Sequence, residues 1–412
     1  MAIESEDLPS NLMGFVTDPV SGHVIMNVIK DMNMAYSRSV TGTPGDAVEF
    51  LKNNRTPKIL IIDVSNSELP LADLNKIKEY SSPNVNMIVI GSRNDVGLFR
   101  DFMTVGICDY LVKPITTALL KKTIEEINAP RKPGVYEKTG KLIQFIASVG
   151  GAGSTTASTN IAWILANRHF KRTVVLDLDF LFGSANLMLD IKAENSYLDT
   201  LESPEKIDEY FIETNMKKHG KRLYYIGGLA DLVRGVSVDM ESFSAFVELV
   251  KKQFNYILVD SPRDVGGVAH VAMKKTDMLV IMVEMSVASA QNTARLLEFF
   301  NTDQPGKKII IVANKLGLSS GGAIARESFE KVIDRKIDYM MPLDEGVALA
   351  AANIGQPLVL SDSPLTETLE SIADDILGKK DTVALLAAIL EKERSFFEKL
   401  KEKVFDVFRK NK

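Results

Sequence analysis

One stretch constrains this chain more than any other. An apolar run at 142–147 leads into Gly150-Gly151-Ala152-Gly153-Ser154-Thr155-Thr156, and an Ala-, Ile- and Leu-rich segment follows to Asn167. The order reads as buried strand, glycine loop, helix. Glycine reaches positive φ without steric cost and lets backbone close around a bound group. The N–H groups of the loop and of the helix N-terminus then converge on one point, which suits an anion such as a phosphate. A loop of this kind works only when a sheet holds the strand and the helix packs back onto it, so the chain should be α/β with a mainly parallel sheet.

The rest of the sequence agrees with that class. The 412 residues suit two or three domains. In 1–130, apolar β-branched runs at 13–17, 59–64, 85–91 and Asp109–Val112 alternate with helical patterns, as expected of a parallel sheet covered on both faces. A linker is expected at 131–140, where Pro133 and Gly134, with Pro130 just before them, resist regular structure. A second α/β unit is expected over 141–380, with strands at 142–147, Thr173–Asp177, Leu223–Ile226, Tyr256–Asp260, 278–284 and 308–314. Residues 381–412 read as a charged helical tail.

Carboxylates and a hydroxyl surround the glycine loop in the reading. Thr155 stands where a phosphate-loop hydroxyl would ligate Mg²⁺. The strand Thr173–Asp177 ends on Asp177, and Asp179 follows at i+2 on the same side, where it could position an attacking water. The strand Tyr256–Asp260 is apolar and ends on Asp260, which would bind Mg²⁺ through water.

This succession of motifs resembles the MinD/ParA branch of phosphate-loop ATPases, and the likeness runs from about residue 141 to 378. It includes Val312-Ala313-Asn314-Lys315, similar to that branch's base-recognition strand end, then Met341-Pro342-Leu343-Asp344 and Ala351-Ala352-Asn353-Ile354-Gly355-Gln356-Pro357, similar to its closing segment. The resemblance implies ATP or ADP with Mg²⁺ as ligands, with Asn314, Lys315 and Pro342 on the nucleotide, and a homodimer with the nucleotides near its interface. The chain also departs from the branch. Ser154 replaces the lysine that precedes Ser/Thr in the usual loop, and the signature lysine at the loop start falls on Ser148. Loss of both ammonium groups removes transition-state stabilisation of the phosphoryl oxygens, so hydrolysis should suffer more than binding.

In the first unit, Asp63 ends a strand, Lys113-Pro114 follows another and Asp18 follows the first. The constellation resembles a response-regulator receiver of the flavodoxin-like class. It lacks the paired acids of that family, having Thr17-Asp18, and the switch hydroxyl position falls on Gly91 or Ser92. A pseudo-receiver used for docking or dimerisation is therefore expected. A receiver-like unit ahead of an atypical ATPase unit resembles the TadZ/CpaE proteins of type IVc (Tad, Flp) pilus systems. That resemblance implies an ATP-binding localisation or assembly factor with pilus or secretion proteins as partners. The alternatives are an active ParA-type ATPase for DNA or cargo positioning and a phosphorylatable response regulator.

Bulk properties bear on those alternatives. A net charge of −5 gives no broad basic surface, so DNA is not an expected partner. The lone Cys108 cannot close an internal disulfide, which suits a reducing cytoplasm. No secretory signal is visible, and no apolar run reaches the roughly 18–20 residues needed to cross a bilayer. In the tail, Phe396, Phe397, Leu400, Val404, Val407 and Phe408 recur at helical spacing among lysines. Such an amphipathic helix could contact the inner face of the cell membrane or pack within a dimer.

Overall fold

A computed structural model describes residues 10–129, 139–192, 212, 215–230, 238–317 and 323–379. The expected tail at 381–412 and most of the expected linker lie outside those residues. Two sheets organise what is described. The first has five parallel strands, β1 (Leu12–Val16), β2 (Arg38–Thr41), β3 (Ile59–Asp63), β4 (Asn86–Gly91) and β5 (Asp109–Val112), in the order β2-β1-β3-β4-β5. This is the doubly wound flavodoxin-like order, whose crevice opens beyond the carboxyl ends of β1 and β3. Thr17, Asp18 and Asp63 stand at that crevice. β1 and β3 are buried along their whole length, which explains why both read as continuous apolar runs. β2 is half-exposed on the sheet edge.

The second sheet has eight strands, β6 (Lys141–Ala147), β7 (Thr173–Asp177), β8 (Lys217–His219), β9 (Leu223–Ile226), β10 (Tyr256–Asp260), β11 (Met278–Val283), β12 (Lys308–Leu316) and β13 (Tyr339–Pro342). Their order is β13-β12-β11-β6-β10-β7-β9-β8, parallel throughout except for β8 on β9. After β10 the chain crosses to the other side of β6, so the topological switch falls around β6 and its glycine loop. One face is covered by α1 (Ser154–Asn167) and the helix Pro364–Leu377, which share a core with Ile143, Phe145 and Val280. The other face is covered by the helices Met240–Gln253 and Val287–Asp303 through Phe243, Phe246 and Phe300. Each such side chain contributes about 1.5–3 kcal/mol when fully buried, so β6, buried on both faces, is a rigid mount for the loop it carries.

The two units meet at the amino ends of their strands. Asn255 Nδ2 donates to Ser81 O at 2.8 Å, Lys171 Nζ donates to Glu79 O, and Tyr80 packs on Phe170 with ring centroids 5.8 Å apart. A cavity of 330 Å³ opens there, lined by Lys78, Gly106, Thr139, Lys141 and Tyr256 among others. Both carboxyl-end crevices, at Asp63 and at the glycine loop, therefore face away from the contact.

Candidate nucleotide site

The loop takes the backbone its glycines permit. Gly151 has φ 78° and Gly153 has φ 97°, and Gly153 is the left-handed N-cap of α1. Gly153 has a second reason to lack a side chain, since a Cβ there would lie 2.5 Å from Asn314 Nδ2. That amide donates to Ala152 O at 2.9 Å and fastens the loop to the end of β12. Gly153 has no side-chain cap, so the first N–H groups of α1 stay available to an anion.

Asp260 and Asp177 end neighbouring strands and are paired directly in register, which brings two carboxylates within one strand spacing below the loop. Both are almost completely buried. Burial, then the charge of Asp177, pushes the Asp260 carboxyl well above the usual carboxylate range, while the Thr155 and Ser158 hydroxyls act the other way. Burial likewise raises Asp177, opposed by the N–H of Asp179. Asp260 Oδ1 is buried with no hydrogen-bond partner. Two adjacent buried carboxylates with an orphaned oxygen and a nearby threonine hydroxyl form an all-oxygen donor set that fits Mg²⁺. Among the described residues no group of three or more His, Cys, Asp or Glu is placed to hold a metal ion by itself.

The other sequence-predicted residues divide. Asp179 Oδ1 accepts the N–H of Phe182 at 3.0 Å, and its own N–H donates to Asp177 Oδ1, so the side chain holds the turn after β7. Lys315 adopts φ 58° at a bulge where β12 shifts register against β13, next to Pro342. The bulge sends Asn314 onto the loop and Lys315 Nζ to Glu284 Oε1 at 2.8 Å, near Gly151. Ser154 begins α1 and carries no charge. Ser148 is buried and its hydroxyl is committed to Met282 O at 3.1 Å and Ser289 Oγ at 2.7 Å. Val149 beside it packs against the core, so moving the alignment by one residue still places no ammonium at the loop start.

Several residues of the site escaped the sequence reading. Glu284, which neutralises Lys315, and Tyr225, whose hydroxyl lies 3.4 Å from Asp177 Oδ2, act across strands that spacing alone does not align. Gly183 leaves room for Asp177, since a Cβ there would sit 2.6 Å from its Oδ2. Arg263, three residues past Asp260, left a visible signal as a base following a strand-end carboxylate.

At the first sheet, Asp63 is buried beneath a closed set of donors. Lys113 Nζ lies 2.6 Å from both Asp63 Oδ2 and Asp18 Oδ2. Thr17 donates to Asp63 Oδ2 from its N–H at 2.9 Å and its hydroxyl at 2.6 Å, and the Ser65 N–H donates to Oδ1 at 3.0 Å. Burial pushes this carboxyl up, but Lys113, Ser65 and Thr17 together outweigh it and hold the pKa at about 2. Asp18 serves as N-cap of the helix Pro19–Asp31, accepting from Ser21. Gly91 leaves its side-chain space to Tyr110, whose hydroxyl would lie 2.4 Å from a Cβ there and donates to Arg93 O.

Comparison with known proteins agrees with the second sheet. Residues 140–311 match the family model AAA_31, an AAA domain. The MinD septum site-determining protein of Helicobacter pylori is 24% identical over 270 residues, 63% of this chain and 97% of that protein. A ParA family ATPase from Chlorobium tepidum covers 57% of this chain and 98% of its own, at 22% identity and TM-score 0.53. The second unit has the fold of the MinD and ParA ATPases. Pyrococcus horikoshii MinD, whose structure is complexed with Mg-ADP, aligns over 57% of this chain and 96% of its own at 18% identity and TM-score 0.50. A pilus assembly protein CpaE from Caulobacter crescentus aligns over 30% of this chain at 21% identity, with a TM-score of 0.28 that is too low to establish a shared fold.

Proposed function

We propose that this protein is a nucleotide-gated localisation or assembly factor that binds ATP or ADP with Mg²⁺ and hydrolyses ATP slowly or not at all. The observation that carries the reading is a phosphate loop with free helix N–H groups and a buried carboxylate pair beneath it, but with serine at 154. Gly150–Thr156 would cradle the phosphates, Thr155, Asp177 and Asp260 would hold Mg²⁺ directly or through water, and Asn314, Lys315 and Pro342 would border the base. Bound Mg²⁺ would screen phosphate charge. Asp179, already engaged with Phe182, is a poor water-positioning group in this conformation, which supports slow hydrolysis.

The finer reading is a role in a type IVc (Tad/Flp) pilus or related secretion machine, acting as a homodimer at the inner face of the membrane. It rests on the combination of a flavodoxin-order sheet bearing Asp63 and Lys113 with an atypical MinD/ParA-like unit. The first unit acts as a pseudo-receiver. Its acidic crevice is neutralised by Lys113, and Tyr110 fills the space a switch hydroxyl would need. No helix of the described residues is long and apolar enough to cross a membrane, so membrane contact would be peripheral. Light scattering of the full chain with and without Mg-ATP tests the dimer, and a monomer under both conditions contradicts it. Turnover at about 1 s⁻¹ or faster, an ordinary enzyme rate, contradicts the gating role.

A further inference from the structure

The loop lacks both family lysines, yet two cations stand over its paired glycines. Lys315 Nζ lies 3.7 Å from the Cβ position of Gly151, and Arg263 Cζ lies 3.9 Å from that of Gly150. They differ in what already neutralises them. Lys315 is ion-paired with Glu284 at 2.8 Å. Arg263 is exposed, and no hydrogen bond or ion pair to a described residue holds it. The adjacent Asp264 is turned aside, accepting the Gly266 N–H at 2.9 Å in its own turn.

We infer that Arg263 supplies the positive charge that Ser154 does not, binding the terminal phosphate of the nucleotide from the loop after β10. The inference rests on the nucleotide reading of the glycine loop. Its geometry follows from the sheet. β10 lies beside β6, so the turn that begins at Asp260 and the loop that begins after Ala147 emerge side by side. Pro262 restricts the backbone immediately before Arg263. A guanidinium presents a rigid fork of donors suited to two phosphate oxygens, and near a partly buried phosphate such contacts exceed neutral hydrogen bonds. Approach from this strand places the charge beside the metal carboxylate Asp260 and at the outer end of the triphosphate. ATP, which has the extra phosphate, should therefore depend on Arg263 more than ADP does.

The test is calorimetric titration of full-length wild type, R263A, R263K and R100A with Mg-ATP and Mg-ADP. R100A removes an exposed arginine from the first unit and controls for bulk charge. The inference expects R263A to weaken ATP about tenfold or more, ADP distinctly less, with partial recovery in R263K and no change in R100A. Unfolding midpoints followed through Trp163 should match wild type, because exposed Arg263 makes no hydrogen bond or ion pair to a described residue. R263A binding ATP as wild type does would overturn the assignment of Arg263 and leave the nucleotide reading standing. Equal loss for ATP and ADP would overturn the terminal-phosphate assignment. A wild type that binds neither nucleotide would overturn the underlying reading itself.

Discussion

Replacing Gly153 by alanine should damage the loop through two separable effects. At φ 97° a residue with a Cβ carries a left-handed penalty of about 1–2 kcal/mol. The new methyl would also meet Asn314 Nδ2 at 2.5 Å and displace it from Ala152 O, losing a hydrogen bond worth about 0.5–1.5 kcal/mol. Together the cost is about 1.5–3.5 kcal/mol. Gly306 provides the control, because it too has positive φ, 81°, but a Cβ there meets nothing within 4 Å. Gly306→Ala should therefore cost only the backbone part, about 1–2 kcal/mol. The assay is urea unfolding read by Trp163, the only tryptophan in the chain and part of the helix behind the loop, so the signal reports the second unit. Gly153→Ala should also abolish nucleotide uptake, whereas Gly306→Ala should leave it intact. Equal midpoints for the two variants, or a Gly153→Ala protein that binds nucleotide normally, would refute the claim that Asn314 locks this loop.

Other outcomes follow from the two buried acidic sites. Asp63 has a folded pKa of about 2, below its unfolded value of 3.8. Its stabilisation, about 2 kcal/mol, should be complete above pH 3.8 and disappear as pH falls through 2, read by hydrogen exchange of β1 and β3 peptides. Constant protection across that window would contradict it. Lys113→Met leaves Asp63 buried without its cation and should destabilise the first unit by about 3 kcal/mol; unchanged exchange in the same peptides would show that the ion pair is dispensable. Asp260→Asn removes one of two facing carboxylates, so the metal-free protein should be as stable as wild type or more so, while Mg²⁺ should no longer strengthen nucleotide binding. Retained magnesium dependence would argue against Asp260 as a ligand. Acetyl phosphate should add no mass at Asp63, and a stoichiometric adduct lost in Asp63→Asn would restore the response-regulator alternative.

The central strands were legible because burial on both faces makes them continuous apolar runs. β3, β7, β9 and β10 fall where their residues suggest, and β12 extends only two residues past its expected end. The strands that escaped notice lie at edges or carry little apolar pattern. β2 is Arg-Ser-Val-Thr and half-exposed, β8 is Lys-Lys-His, and β13 ends on a proline. At such positions a neighbouring strand, more than intrinsic preference, decides the conformation. In the site, the glycines and strand-end carboxylates could be found locally because each sits at a break in its own segment. Pairings between segments could not. That Asp177 faces Asp260, that Tyr110 fills the space above Gly91, and that Lys315 turns to Glu284 all depend on strand order and on the bulge in β12. The missing loop lysines were visible in the sequence, and so were Arg263 and Lys315 near their strand ends, but their convergence over Gly150 and Gly151 was not, because they arrive from β10 and β12.

Calorimetric titration of the full-length protein with ATP, with and without Mg²⁺, most directly tests whether backbone donors and a carboxylate-held metal suffice to bind nucleotide without a loop lysine. Saturable uptake with a Kd well below millimolar, strengthened by Mg²⁺, is the predicted result. Absence of binding heat at millimolar nucleotide in the presence of Mg²⁺, supported by no change in Trp163 fluorescence, would contradict it.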